Sequence, residues 1–210
     1  MQGIVHFETF LLTGIILNLT PGNDTVFILS KSLAQGRRAG IISALGIASG
    51  SVGHTLLAAF GLSMFIAKSP MLYNLVKYAG AIYLLYLGYK MIIQKAELNT
   101  NLNQLSASAN SRIYRDAIIT NLLNPKVALF FIAFLPQFIH PQFRHDITPF
   151  LLLGLTFIIT GTIWCMMLAI FSAAIFSRLK HNPRVAVYMN RVCGTALVLV
   201  GLKVALTDSR

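Results

Sequence analysis

The sequence predicts an all-α polytopic membrane protein: six transmembrane helices, arranged as two inverted three-helix repeats, with helices 1 and 4 broken at Pro21 and Pro125. Three observations carry that expectation. The 210-residue chain is 56% hydrophobic and only 11% charged, whereas a soluble domain carries about a quarter charged residues. Six stretches reach the roughly 20 apolar residues needed to cross hydrocarbon. They fall into two sets of three around a polar stretch, and an odd span count obliges a second copy to enter the membrane from the opposite side.

The first span is expected near Ile4–Ser30. No Lys or Arg precedes Lys31, so a basic n-region and a cleavable signal peptide are not expected. Its inner part reads "ILNLTPGND", Ile16 to Asp24. Pro21 removes a backbone donor and Gly22 weakens a helix, while an Asp at a helix centre costs roughly 2.5–3.5 kcal/mol to insert. The second span, Ala39–Ala67, carries Gly46, Gly50, His54 and Ala58 at every fourth position, a small-residue stripe whose ordinary meaning is close helix packing. His54 on that stripe reads first as a packing or hydrogen-bonding residue and second as a proton carrier. In the third span, Met71–Ile93, Tyr73 and Tyr89 fit an interfacial belt. Tyr78, Tyr86 and Tyr89 share a helix face that packs or lines a cavity, and Lys77 lies close enough to the span end to snorkel.

Gln94 to Asp116, "QKAELNTNLNQLSASANSRIYRD", is polar and rich in Asn and Ser, the composition of a solvated connector. It divides the chain into a first repeat (1–93), a cytoplasmic linker (94–116) and a second repeat (117–210). The fourth span, Ala117–Ile139, opens with "ITNLLNPKV", which repeats the Asn-Leu-before-Pro pattern of the first. Spans five and six are expected at Ile147–Phe176 and Val185–Leu206. They hold Cys165 and Cys193 without CxxC or metal-type spacing, so both read as small buried hydrophobes. Trp164 lies mid-span, where it packs or faces a pathway.

A formal net charge of +11 would suggest nucleic acid in a soluble chain, but its distribution follows topology. With the N-terminus outside, Lys31, Arg37, Arg38, Lys90, Lys95, Arg112, Arg115, Arg178, Lys180, Arg184 and Arg191 fall on inner loops and flanks. Only Lys68, Arg144, Lys203 and Arg210 fall outside. The bias obeys the positive-inside rule and predicts both termini outside. No nucleic-acid partner is expected; the bilayer is the partner.

Breaks at corresponding positions of two halves are the best sequence pointer to a transporter's binding site, because freed N–H and C=O groups in a membrane need protein partners or a wet cavity. A Pro kink packed by neighbours is the blander reading, but it leaves Asp24 and Lys126 unexplained. The candidate substrate-binding or coupling residues are therefore Asn18, Pro21, Gly22, Asn23 and Asp24 at the first break. Asn121, Asn124, Pro125 and Lys126 form the second set, with His54 beside them. Half-helix N-termini would receive a carboxylate, Asp24 an ammonium, and Lys126 either the carboxylate or Asp24 itself.

"LTPGNDTVFILSKSLAQGRRAGIISALGIASG", "IYLLYLGYKMI" and "NLLNPKVALFFIAFLPQF" resemble the lysine exporter (LysE/RhtB) family of bacterial amino-acid exporters. The resemblance is strongest over Leu19–Gly50 and Asn121–Phe138. It implies a multi-pass protein of the bacterial inner membrane that expels an amino acid or related metabolite, driven by protons, with no cofactor and no resident metal. A homo-oligomer is compatible with it. Many members carry a second Pro where this chain has Asn23, which implies a less rigid break and an added amide. The competing reading is a divalent-metal exporter, which should show His, Asp or Cys clusters; the loops offer His140, His145 and an isolated His181. An intramembrane aspartyl protease would need a second embedded acid beside Asp24.

Overall fold

The computed structural model describes residues 3–67, 69–93, 108–181 and 183–206. Among these the chain is helical, apart from short turns and one isolated bridge pairing Ile4 with Ile139. α1 (Phe7–Leu19) ends where its ladder meets Pro21, which has no N–H to offer. Thr20 and Gly22 are extended, and α2 (Asn23–Leu56) begins with Val26 N–H on the Gly22 carbonyl at 3.0 Å.

α2 turns at Gly36 (φ 81°, ψ 175°), a backbone conformation strained for any residue with a Cβ. Ser32 and Gly40 meet side to side across the corner, although residues eight apart on a straight helix lie about 12 Å apart. The chain therefore folds back at Gly36. The piece before the corner overlaps only the end of the expected first span, from Asn23 to Ser30; the piece after it lies in the expected second span and continues through a π-helical segment (Leu57–Leu62) into α3 (Ser63–Ala67).

α4 covers Pro70–Ile93 and α5 covers Asn110–Leu122. α6 (Pro125–Leu129) continues through π-helical Phe130–Phe134 and 3-10 Leu135–Phe138. α7 is Ile147–His181 and α8 is Pro183–Leu206. By length and composition alone, Ile147–Ile175 and the run Asn23–Leu62 could each cross a bilayer, although the Gly36 corner divides the latter in two, and the pair Asn110–Leu122 and Pro125–Phe138, bent by 47°, makes a third candidate. Asn110–Asp116, expected in the polar linker, instead forms the first turns of α5, where Arg112 and Arg115 each lie 3.8 Å from Asp116. Residues 94–107 of that linker lie outside the described residues.

α2 packs along α7 and α5, and α4 along α8. Close approach is made at small residues, since helices in lipid associate by packing rather than by water exclusion. A Cβ on Gly50 would come within 2.7 Å of Asn121, and Gly46 sits on Ala117 and the Tyr114 backbone. The small-residue stripe of the second span is thus the seam with α5. Phe10, Phe130, Phe131, Phe134, Phe138 and Phe157 form one aromatic cluster, with contacting ring centroids 4.6–5.9 Å apart. Leu12, Leu57, Ile82, Leu155, Ile163 and Leu199 are each more than half exposed on the outside of the bundle, the face a bilayer would cover. Tyr78, Tyr86 and Tyr89 point outward too, so their shared face does not line a cavity. Lys77 does not snorkel: it is buried, with Nζ 5.2 Å from the Tyr78 ring centre. Tyr73 is buried beneath the Arg144 guanidinium, 3.3 Å above its ring.

Candidate functional site

Each break frees one carbonyl by the same arithmetic. In a helix the carbonyl of residue i receives the N–H of residue i+4. For Leu17 that residue is Pro21, and for Asn121 it is Pro125, so neither carbonyl has its ladder donor. A side chain from elsewhere in the chain reaches each. Lys126 Nζ donates to Leu17 O (3.1 Å) and also to Thr20 O (2.9 Å), a cation at the negative end of the α1 dipole. Gly22 leaves it room, since a Cβ there would stand 3.2 Å from Nζ. His54 Nε2 lies 3.1 Å from Asn121 O, and because a carbonyl only accepts, that nitrogen is the donor. The His54 ring stacks on Phe131 at 5.7 Å.

The side chains complete the link between the two breaks. Asn121 Nδ2 donates to Asp24 Oδ2 at 2.9 Å, and its Oδ1 accepts from Ser51 at 3.3 Å. Asn124 caps α6, taking the Lys126 N–H at 3.0 Å. Asn18 Nδ2 reaches Thr160 Oγ1 on α7 at 3.2 Å. Lys126 therefore holds the end of α1 rather than Asp24, and Asp24 is held by an amide. That amide leaves the second carboxylate oxygen, Oδ1, buried and without a partner.

Between these groups lies a cavity with about 490 Å³ of empty space, a figure that includes the open solvent at its mouth. Asn18, Asp24, Ser51, Asn121, Lys126 and Trp164 supply its polar groups, and Ile47, Val127, Phe157 and Ile158 its apolar wall. Of the expected site residues, four line the cavity: Asn18, Asp24, Asn121 and Lys126. His54 and Asn124 are buried behind it as supports. Gly22 forms the bed for Lys126, and Pro21, Pro125 and Asn23 are exposed, so the extra amide of Asn23 is not on the wall. Sequence reasoning missed the wall made by α7. Its only signal was Trp164, placed mid-span away from either interface. Among the described residues no three His, Cys, Asp or Glu side chains stand close enough to hold a metal ion.

A family model described as "LysE type translocator" matches residues 15–208. The chain is 32% identical to a leucine efflux protein of Enterobacter sp. (strain 638) over 207 residues, 98% of this chain and 97% of that protein. It is 31% identical to the leucine efflux protein of Klebsiella pneumoniae over 95% of this chain and 93% of that one. For the Salmonella typhimurium leucine efflux protein the figures are 29%, 99% and 98%. No solved structure matches.

Proposed function

Because the chain belongs to the LysE type translocator family, and is an amino-acid exporter rather than an enzyme, we infer that its cargo is a neutral amino acid of about leucine's size, moved outward in exchange for a proton. The observation that carries this reading is the half-used carboxylate of Asp24 in a cavity that Ile47, Val127, Phe157 and Ile158 also line. The free oxygen suits an ammonium and the apolar wall an aliphatic side chain. A zwitterion accepted there adds no net charge to the membrane interior, which keeps its insertion cost low. The names of the relatives, all leucine efflux proteins, support the same cargo.

The path is formed by six spans in two inverted halves, 1–93 and 117–210, with both termini outside and residues 94–116 crossing between them in the cytoplasm. Leu17 and Asn121, Pro21 and Pro125, and Gly22 and Lys126 are all offset by the same interval in sequence, as two copies of one unit would be. Rocking of one half against the other about the paired breaks would expose the cavity to each side in turn. Asp24 then carries either the substrate ammonium or a proton. The energy suffices: one charge crossing 100 mV supplies about 2.3 kcal/mol, against about 1.4 for a tenfold concentration gradient.

The test is purified protein in proteoliposomes loaded with radiolabelled L-leucine. Efflux should accelerate when a proton gradient is imposed against it, and unlabelled isoleucine or valine outside should drive exchange. Vesicles that release no neutral amino acid, or that move Ni²⁺ or Cd²⁺ instead, would refute the reading.

A further inference from the structure

A bound amino acid presents a carboxylate as well as an ammonium, and the expected partner for the carboxylate is engaged elsewhere. Lys126 Nζ gives two of its three N–H groups to Leu17 O and Thr20 O, which holds it against the end of α1. The Lys126 backbone N–H is taken by Asn124, one N–H of Asn121 Nδ2 goes to Asp24, and one of Asn18 Nδ2 goes to Thr160. Among the described residues, two that line the cavity hold a buried side-chain atom with no hydrogen-bond partner: Asp24 Oδ1, an acceptor, and Trp164 Nε1, a donor. Buried indole N–H groups normally find a partner, and an exception calls for a reason. The two free atoms are of opposite sense and are not bonded to each other. Their complements are an ammonium and a carboxylate, the two ends of one α-amino acid. Trp164 shares a face of α7 with Gly161 and Cys165 by i, i+3, i+4 spacing, and all three line the cavity.

We propose that the indole N–H of Trp164 is the donor that receives the substrate carboxylate, so that Trp164 and Asp24 together read the two charged ends of the cargo. The assignment rests on amino-acid export as the function. It makes carboxylate recognition a neutral hydrogen bond and leaves Lys126 to its structural bond with α1. Requiring both groups at once selects α-amino acids over simple amines.

The test compares L-leucine with isoamylamine, which is leucine without its carboxylate, in reconstituted unsubstituted protein and in Trp164→Phe, which keeps an apolar ring and loses the N–H. A hydrogen bond to a charged group corresponds to about tenfold in binding. The KM for leucine should rise by about that factor, with kcat within about twofold and inhibition by isoamylamine unchanged. A leucine KM that does not move, or an equal weakening of both ligands, overturns the assignment and leaves amino-acid export standing. Unsubstituted vesicles that move no amino acid overturn the export reading and this assignment with it. Trp164 is the chain's single Trp, so its fluorescence in unsubstituted protein gives a second measure that needs no variant. Leucine should change the emission and isoamylamine should not; equal responses to the two overturn the proposal.

Discussion

At the residue scale, two charged side chains in the same cavity do different work, and substitution separates them. Asp24→Asn keeps the shape and the acceptor for Asn121 Nδ2 but removes the charge offered to an ammonium. Loss of a charge-assisted bond corresponds to roughly 10- to 100-fold, so leucine efflux should fall by that much while the protein reaches the membrane in normal amount. Normal efflux that still responds to a proton gradient would show that Asp24 is not the coupling group. Lys126→Met removes the donor that serves Leu17 O and Thr20 O; Leu17 O keeps the Thr20 N–H at 3.2 Å, whereas Thr20 O is left without its donor. His54→Ala removes a donor from Asn121 O, which still holds the Asn124 N–H at 2.9 Å. An orphaned buried acceptor costs about 1–3 kcal/mol, so Lys126→Met should lower the thermal midpoint in detergent clearly more than His54→Ala. The reverse order would mean the freed carbonyls are satisfied in some other way.

At the scale of the element, glycines in α2 and its π-helical continuation make opposite predictions. Gly36 has open space around its would-be Cβ, and so has Gly61, so neither substitution causes a clash. Only Gly36 has a positive φ. Gly36→Ala should therefore destabilise by about 1–3 kcal/mol through backbone strain alone. Gly61→Ala should be neutral or stabilise by up to about 1 kcal/mol, because Ala is the better helix former. Thermal unfolding of the two variants side by side measures both. Equal midpoints would mean that α2 passes Gly36 without turning.

For the whole molecule, the testable quantity is orientation. In a background with Cys165 and Cys193 replaced, Ala34→Cys beside the Gly36 corner should be shielded from an impermeant thiol reagent in intact cells. Gln142→Cys, between the bent pair and α7, should react. Both positions are exposed on the protein, so a difference in labelling reports the side of the membrane and not burial. Labelling of Ala34→Cys from outside would reverse the assigned topology.

Composition and peptide chemistry by themselves determined the membrane class, the approximate helical stretches and both breaks. They could do so because those properties are local: a proline lacks its N–H whatever packs around it, and Leu17 and Asn121 lose their ladder donors for that reason alone. The embedded Asp24 and Lys126 stood out for the same kind of reason, as charges in apolar surroundings. What each freed group bonds to was a matter for tertiary structure. Lys126 was expected beside Asp24 or a carboxylate, yet it lies on α1, while Asn121 takes Asp24 and Trp164 joins the wall. Those partners depend on helix register, set where Gly46 and Gly50 meet α5 and where Gly154 meets Thr55, and register is a property of two packed surfaces that no single segment carries. The same holds for Lys77, whose place near a span end suggested snorkelling until the packed bundle buried it.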